Sequence, residues 1–198
     1  MLEGLSSKMI ETITKFDFSV LYWIQENIRT EWLDSVFAFL SWAFQLGIPW
    51  LVLGAVLFCF KKTRAAGVIM VTAVVLTFFF NELAIKNAVN RERPCTIDPS
   101  VSLAVERPTS YSFPSGHTAS CFAAAGTLLF TFKKLGIPLM LFAVLMGFSR
   151  MYLFVHFPTD VIAGAAMGIL MAWVTVLIFR ELKYDEKLNN LNLKIRRN

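Results

Sequence analysis

The chain has 198 residues, of which 56% are hydrophobic and only 17% are charged, whereas about a quarter of the residues of an average soluble domain are charged. Its mean hydropathy is +0.58, and one soluble core of this size could not bury so many large apolar side chains. These numbers exclude a soluble enzyme and a disulfide-stapled secreted module. The net charge of +5 does not indicate a nucleic-acid partner, because the Lys and Arg residues lie at the ends of apolar runs, as in membrane proteins.

Residues 1–35 are predicted to form an N-terminal segment of one or two amphipathic helices. Apolar residues recur there near helical spacing, at Ile10, Ile13, Phe16, Val20, Trp23, Ile24 and Ile28, while charged residues such as Asp17 fall on other faces. Such a segment lies at the membrane surface or packs against the other helices, and the pattern leaves both arrangements open.

Five apolar runs that follow are predicted to cross the membrane, since a span needs roughly 20 apolar residues. They cover residues 36–60, 65–85, 118–132, 137–154 and 161–179. Gly47 and Pro49 predict a kink or break in the first run. Residues 36–180 are therefore predicted to be one transmembrane domain, and residues 181–198 a polar C-terminal tail.

The basic residues predict the orientation of this domain. The side that carries the turns at 61–64 and 133–134 and the C-terminal tail has more Lys and Arg residues than the other side. The positive-inside rule then places the loops at 87–114 and 155–160 outside the cytoplasm. Of the three cysteines, Cys59 and Cys121 lie in apolar runs, while Cys95 is expected to be an accessible thiol in a polar loop. Their spacing indicates neither a disulfide nor a zinc site.

Three polar clusters are predicted to meet at one end of this bundle, because the helices alternate in direction. The clusters are Lys86-x6-Arg93-Pro94, Pro114-Ser115-Gly116-His117, and Ser149-Arg150-x5-His156-x3-Asp160. His117 and His156 are the two histidines of the chain. A histidine is suited to act as a base, an acid or a nucleophile near neutral pH.

The residue types in these clusters are suited to bind a phosphate group. Lys86, Arg93 and Arg150 supply three cations, which are costly at a membrane edge unless they have a function. The helix start at Ser115 and Gly116 adds backbone N–H groups and lets the backbone approach an oxyanion. Taken singly, each cluster also has a structural interpretation: side chains that reach the headgroups, a helix cap, or a hydrogen-bonded pair.

The two histidines are expected to divide the chemistry. Asp160 lies four residues after His156, so its carboxylate can hold one ring nitrogen and leave the other free as a nucleophile. His117 remains as the acid that protonates the departing oxygen. A metal site built from the histidines and Asp160 is disfavoured, because the three nearby cations would repel a divalent ion.

Two further features concern helix packing. Glu82 precedes Lys86 by one helical turn and is expected to be its salt-bridge partner. The small residues Gly164 and Gly168 predict a close contact within the bundle, with the fourth span, or alternatively with a second subunit.

The ordered motifs resemble those of the type 2 phosphatidic acid phosphatases, membrane lipid phosphatases that share their site with vanadium haloperoxidases. The resemblance implies an all-α integral membrane fold of five to six transmembrane helices. It also implies a metal-independent phosphatase of the cell membrane that needs no cofactor, with His156 forming a phosphohistidine, Asp160 orienting it and His117 acting as the acid. Phosphate would be bound by Lys86, Arg93, Ser115, Gly116 and Arg150.

The expected substrate is a lipid phosphate or diphosphate, with undecaprenyl diphosphate first. Phosphatidylglycerophosphate or phosphatidate is the alternative, and a lipid-phosphate binder or transporter without catalysis is the alternative outside enzymes. A homodimer is a further hypothesis.

Overall fold

The computed structural model describes residues 2–184, with side chains for residues 8–45 and 47–184. Every regular element within that range is helical, which confirms the all-α class. The elements are α1 Leu2–Asn27, α2 Glu31–Ala43, a 3₁₀ turn Gln45–Gly47, α3 Ile48–Cys59, α4 Arg64–Phe79, a π-helical turn Phe80–Ile85, α5 Lys86–Val89, α6 Pro94–Ile97, α7 Gly116–Thr131, α8 Lys133–Tyr152 and α9 Pro158–Glu181. Residues 185–198, most of the predicted tail, lie outside the described residues.

The helices are long and apolar enough to make this a multi-pass membrane protein. Within residues 2–184, three runs suit a span by length and hydropathy, namely Arg64–Ile97, Lys133–Tyr152 and Pro158–Glu181. The pair α2 and α3 would be a fourth, bent by 61°. The predicted break is confirmed there, since Gly47 has φ +70° and Pro49 lies in the first turn of α3. A total of five to six spans stays a prediction.

Helix α7 is the centre of the bundle and packs against α4, α8 and α9. It has 16 residues, about 24 Å of helix, which is short for a 30 Å hydrocarbon layer. Gly164 and Gly168 of α9 let the backbones of α9 and α7 approach each other. A Cβ added at Gly164 would lie 2.7 Å from the Ser115 carbonyl oxygen, and one added at Gly168 would lie 2.3 Å from the Ala119 carbonyl oxygen. The predicted small-residue contact is thus inside the bundle, but with α7 rather than with the fourth predicted span.

Helix α1 packs against α8 and α9, the second of the two arrangements expected for this segment. It contacts the loop between α8 and α9, where Leu21 and Ile24 join a buried cluster with Phe154 and Phe157. The expected position of Asp17 on a polar, solvated face is wrong, because Asp17 is fully buried. Other residues of the predicted apolar face are exposed, among them Ile10, Ile13, Phe16 and Trp23.

The loop between α6 and α7 folds back over the site end of the bundle. Cys95 precedes it and is fully buried, so the expected accessible thiol is not present there. The Cys95 carbonyl oxygen accepts a hydrogen bond from Arg107 of the loop. Cys121 is buried and Cys59 is exposed, and all three are free thiols.

Candidate active site

The three sequence motifs meet at one cavity of about 710 Å³. Lys86 begins α5, Arg93 precedes α6, and Arg150 lies in the last turn of α8. All three cations are at most 6% exposed, and they line the cavity together with Gly116, His117 and His156. Three positive charges without bulk water around them make this cavity a strong binding site for an anion.

Arg93 is held in place by the backbone around it. Its Nε donates to the Ser110 carbonyl oxygen at 2.7 Å, and its Nη1 donates to the Val155 carbonyl oxygen at 2.9 Å. Its Nη2 donates to the Ser110 hydroxyl at 3.0 Å and to the Tyr111 carbonyl oxygen at 3.2 Å. The Nη1 atom also lies 3.1 Å from Nε2 of His156, so a phosphoryl group at this nitrogen would be next to a fixed guanidinium.

The other two cations are held by polar side chains. Arg150 donates from Nη1 to the Ser41 hydroxyl at 2.8 Å and from Nη2 to the Ser149 hydroxyl at 2.9 Å. Lys86 pairs with Glu82 at 2.7 Å, which confirms the predicted salt bridge. The π-helical turn at Phe80–Ile85 precedes Lys86 directly, a feature that is frequent at functional sites.

Of the two residues at the start of α7, only one lines the cavity. Gly116 lines it, and a Cβ at this position would lie only 3.2 Å from Nδ2 of Asn81. Ser115 is fully buried, and its backbone N–H donates to the Asp160 carbonyl oxygen at 3.1 Å. Its hydroxyl accepts a hydrogen bond from Thr118 at 2.9 Å. Ser115 thus joins α7 to α9 behind the cavity wall, whereas Gly116 faces the cavity.

His156 and Asp160 face each other as the sequence predicted, although without a hydrogen bond. His156 Nδ1 lies 3.6 Å from Asp160 Oδ2. That oxygen accepts hydrogen bonds from the Phe157 N–H at 2.9 Å and from the Ser112 hydroxyl, and Oδ1 accepts one from Arg91 at 2.6 Å. Burial, followed by the charge of Arg93, lowers the pKa of His156 to about 4. The imidazole is therefore neutral at pH 7, as a nucleophile requires.

His117 lies in the first turn of α7 and lines the same cavity. Its Nε2 lies 3.1 Å from the Ser41 carbonyl oxygen. A carbonyl oxygen only accepts hydrogen bonds, so this nitrogen carries the proton in the geometry observed. His117 thus directs a ring N–H group at the Ser41 carbonyl oxygen. To act as an acid catalyst it must carry a second ring proton, as an imidazolium, when the leaving oxygen departs.

The sequence model of the PAP2 superfamily matches residues 65–184, which include all three motifs. The chain belongs to the PAP2 superfamily. It is 37% identical over 133 residues to the undecaprenyl-diphosphatase of Sulfolobus acidocaldarius, covering 65% of this chain and 63% of that protein. It is 30% identical over 182 residues to phosphatidylglycerophosphatase B of Bacillus subtilis, covering 84% of this chain and 82% of that one.

A solved PAP2 structure has the same fold. The crystal structure of the transmembrane PAP2-type phosphatidylglycerolphosphate phosphatase of Bacillus subtilis superposes with a TM-score of 0.71 and 26% identity, covering 86% of this chain and 87% of that chain. The class predicted from the motifs, a phosphoric ester hydrolase, agrees with the names of these relatives.

The cavity in this PAP2 chain also has apolar lining residues. They come from α2, from the turn that follows it and from α4, and include Ala38, Trp42, Phe44, Val74 and Phe78. The cavity thus combines buried cations with apolar side chains. This combination suits an amphiphile with an anionic head.

Several site residues were missed from the sequence. Ser112 and Arg91 hold the Asp160 carboxylate, and Ser41 contacts both Arg150 and His117. One indication for Arg91 was its position two residues before Arg93, but the sequence contained none for Ser41 or Ser112. Among the side chains described, those of residues 8–45 and 47–184, no group of three or more His, Cys, Asp or Glu is placed to hold a metal ion.

Proposed function

We propose that the protein is a membrane lipid phosphatase that works through a phosphohistidine at His156. The observation that carries this proposal is the position of His156, whose Nε2 faces Arg93 in the cavity while Nδ1 faces Asp160. A neutral imidazole between a cation and a carboxylate is suited to attack a phosphoryl group and to be stabilised when it becomes positively charged.

In the first step, His156 Nε2 forms a bond to phosphorus as the bond between phosphorus and the leaving oxygen breaks. His117, as an imidazolium, gives its Nε2 proton to that oxygen and becomes neutral. Arg93, Arg150 and Lys86 balance the charge on the three other phosphoryl oxygens, and the N–H groups at the start of α7 assist them. The chemistry of this set requires no metal.

In the second step, water attacks the phosphohistidine. The neutral His117 accepts a proton from this water, so that it is protonated again for the next cycle. The bond from Nε2 to phosphorus breaks, inorganic phosphate leaves, and His156 returns to its neutral form. The two histidines thus carry both half-reactions.

The proposed substrate is a polyprenyl diphosphate, with undecaprenyl diphosphate first. The name of the Sulfolobus relative, 37% identical over the aligned region, and the apolar lining residues of the cavity support this choice. Phosphatidylglycerophosphate is the second candidate, because the Bacillus subtilis relative that covers 84% of this chain carries that name. Phosphatidate is the third.

A substrate panel tests the proposal on detergent-purified protein. Phosphate release is measured with undecaprenyl diphosphate, phosphatidylglycerophosphate, phosphatidate and diacylglycerol pyrophosphate, and the His156→Asn variant is the matched control. We expect the highest kcat/KM with undecaprenyl diphosphate. A higher kcat/KM with phosphatidylglycerophosphate would contradict the choice of undecaprenyl diphosphate and favour phosphatidylglycerophosphate as the substrate. Binding of all four lipids without phosphate release would favour the non-catalytic binder or transporter.

We further propose that the cavity opens on the extracytoplasmic side, as the distribution of Lys and Arg indicates. Buried Cys95 cannot report this orientation. A cysteine introduced at exposed Pro99, in a Cys59→Ala background, is suitable because the loop is at the site end. An impermeant thiol reagent is expected to label it in intact cells. Labelling only in inverted vesicles would contradict the orientation.

The homodimer stays a prediction, which a measurement of the molecular mass of the purified protein would test.

A further inference from the structure

A chain of buried ion pairs connects the N-terminal helix to the carboxylate that faces His156. Arg91 Nη1 lies 2.6 Å from Asp160 Oδ1, and Arg91 Nη2 lies 2.6 Å from Asp17 Oδ2. Both carboxylates have side chains that are 0% exposed, while that of Arg91 is 20% exposed. One guanidinium group thus bridges two carboxylates that have no contact with solvent.

The position of Arg91 is fixed from several directions. Its Nη1 also donates to the Thr159 hydroxyl at 2.7 Å, and its guanidinium lies over the Phe157 ring, 4.0 Å from the ring centre. Asp17 accepts hydrogen bonds from the Thr159 hydroxyl at 2.5 Å and from the Thr159 N–H at 3.2 Å. Helix α1 and the first turn of α9 are therefore joined around one planar cation, which a lysine could not replace.

Neither Asp17 nor Arg91 is among the described residues that line the cavity. Any effect they have on a bound phosphate must therefore pass through Asp160. That carboxylate has a second set of partners, the Ser112 hydroxyl and the Phe157 N–H, on its other oxygen. Of the described groups that donate hydrogen bonds to the Asp160 carboxylate, Arg91 is the charged one.

The charges of Asp17, Arg91 and Asp160 give a reason for the burial of Asp17 beside Arg91. Arg91 beside Asp160 alone would neutralise the carboxylate that must face a positively charged imidazole during phosphoryl transfer. Asp17 offsets Arg91, so that the three groups together carry one negative charge. Burying charges is costly, and a buried ion pair is weak grounds for stability by itself. A catalytic use accounts for this arrangement better than stability does.

We propose that Asp17 and Arg91 are positioning residues for catalysis: they hold Asp160 in place as a full negative charge against His156. The N-terminal helix is then a component of the catalytic apparatus as well as a packing element. This inference rests on the proposed phosphatase function.

The central experiment compares Asp17→Asn with the wild-type full-length protein, purified in detergent. The amide keeps the shape of the side chain and removes its charge, which leaves Arg91 to neutralise Asp160. Loss of the charge on one group of a buried charged network should lower kcat about 10- to 100-fold. KM should stay within about threefold, and so should the inhibition constant of inorganic phosphate, because the three cavity cations are unchanged.

Glu11→Gln is the matched control on the same helix. It makes the same change from carboxylate to amide, at a side chain that is 61% exposed and paired only with Lys15 among the described residues. Its kcat should equal that of the wild type within about twofold. An equal loss of kcat in both variants would overturn the proposal, because α1 would then be sensitive to charge in general.

The double variant Asp17→Asn/Arg91→Gln separates charge balance from simple damage. It restores one net negative charge at Asp160 and keeps an amide donor beside it, so kcat should rise at least about threefold above that of Asp17→Asn. A kcat below that of the single variant would contradict the proposal. If Asp17→Asn does not yield folded protein, the double variant is compared with the wild type. Because this variant lacks both residues proposed to hold Asp160, a kcat within about twofold of the wild type then overturns the proposal.

The wild-type measurement distinguishes the two levels of inference. If the wild-type protein releases phosphate from none of the panel lipids, the proposed function fails and this inference fails with it. If the wild type is active and Asp17→Asn has an unchanged kcat, only the inference about Asp17 and Arg91 fails.

Discussion

Replacing Gly164 by alanine is expected to damage the site through the packing of α9 on α7. The added Cβ would lie 2.7 Å from the carbonyl oxygen of Ser115 and 3.4 Å from its nitrogen. Ordinary van der Waals contact begins at 3.4 Å, so the start of α7 and the facing turn of α9 must separate by about 0.7 Å. This movement displaces Gly116 and His117, which follow Ser115 directly.

The magnitude follows from that displacement. A misplacement of about 1 Å can cost about 10²-fold in rate even when its origin is far from the reacting atoms. We therefore expect kcat/KM to fall about 10- to 100-fold for Gly164→Ala. Overpacking of a tight contact destabilises a protein by about 1–3 kcal/mol, so most of the purified variant should still be folded at 25 °C.

Gly126→Ala is the matched control. It adds a methyl group at the same contact between α7 and α9, but the new Cβ would lie 3.1 Å from the Cβ of Ala172, about 15 Å along α7 from the site. Its kcat/KM should stay within about threefold of wild type. The assay is phosphate release by detergent-purified protein, with thermal unfolding measured in parallel. Wild-type kcat/KM in Gly164→Ala, or equal losses in both variants, would refute the argument.

Three other outcomes are expected. Activity should persist in EDTA and be blocked by vanadate, which adopts the geometry of the phosphoryl transition state; loss of activity in EDTA that magnesium restores would contradict a site built from cations alone. The ¹⁵N NMR signals of His156 in the ligand-free protein, assigned with His117→Gln, should show a neutral ring from pH 5 upward, because its lowered pKa of about 4 leaves few protonated molecules above that pH; a midpoint above pH 6 would argue against this. His117→Ala should lower the rate about 10²- to 10⁴-fold with a lipid monophosphate, less with a diphosphate and least with p-nitrophenyl phosphate; equal losses on all three substrates would exclude His117 as the acid.

The convergence of the motifs could be predicted because it depends only on helix order. Lys86, His117, Arg150 and His156 lie at the ends of apolar runs, and alternating runs bring those ends to one side. The salt bridge from Lys86 to Glu82 could also be predicted, since it follows from helical spacing. Local rules were sufficient for both features.

The support behind the site could not be predicted, because it consists of contacts between distant parts of the chain. Arg91 is 74 residues from Asp17 and 69 from Asp160. Asp17 follows a helical pattern that is typical of a solvated face, and only a partner from another element stabilises it in the interior. Cys95 precedes a polar loop, but that loop folds back over it. Periodicity describes which face of a helix is polar, but it does not reveal which polar side chain has a buried partner.

Trapping of the phosphoenzyme tests the central claim most directly. Purified protein is mixed with ³²P-labelled lipid diphosphate and quenched in alkali within the first turnovers, because phosphohistidine is stable to base and labile to acid. We expect a base-stable label on a peptide that contains His156, and none in His156→Asn, which keeps the cavity cations. A wild-type protein that turns over rapidly without any base-stable label, or a label on another residue, would contradict the account.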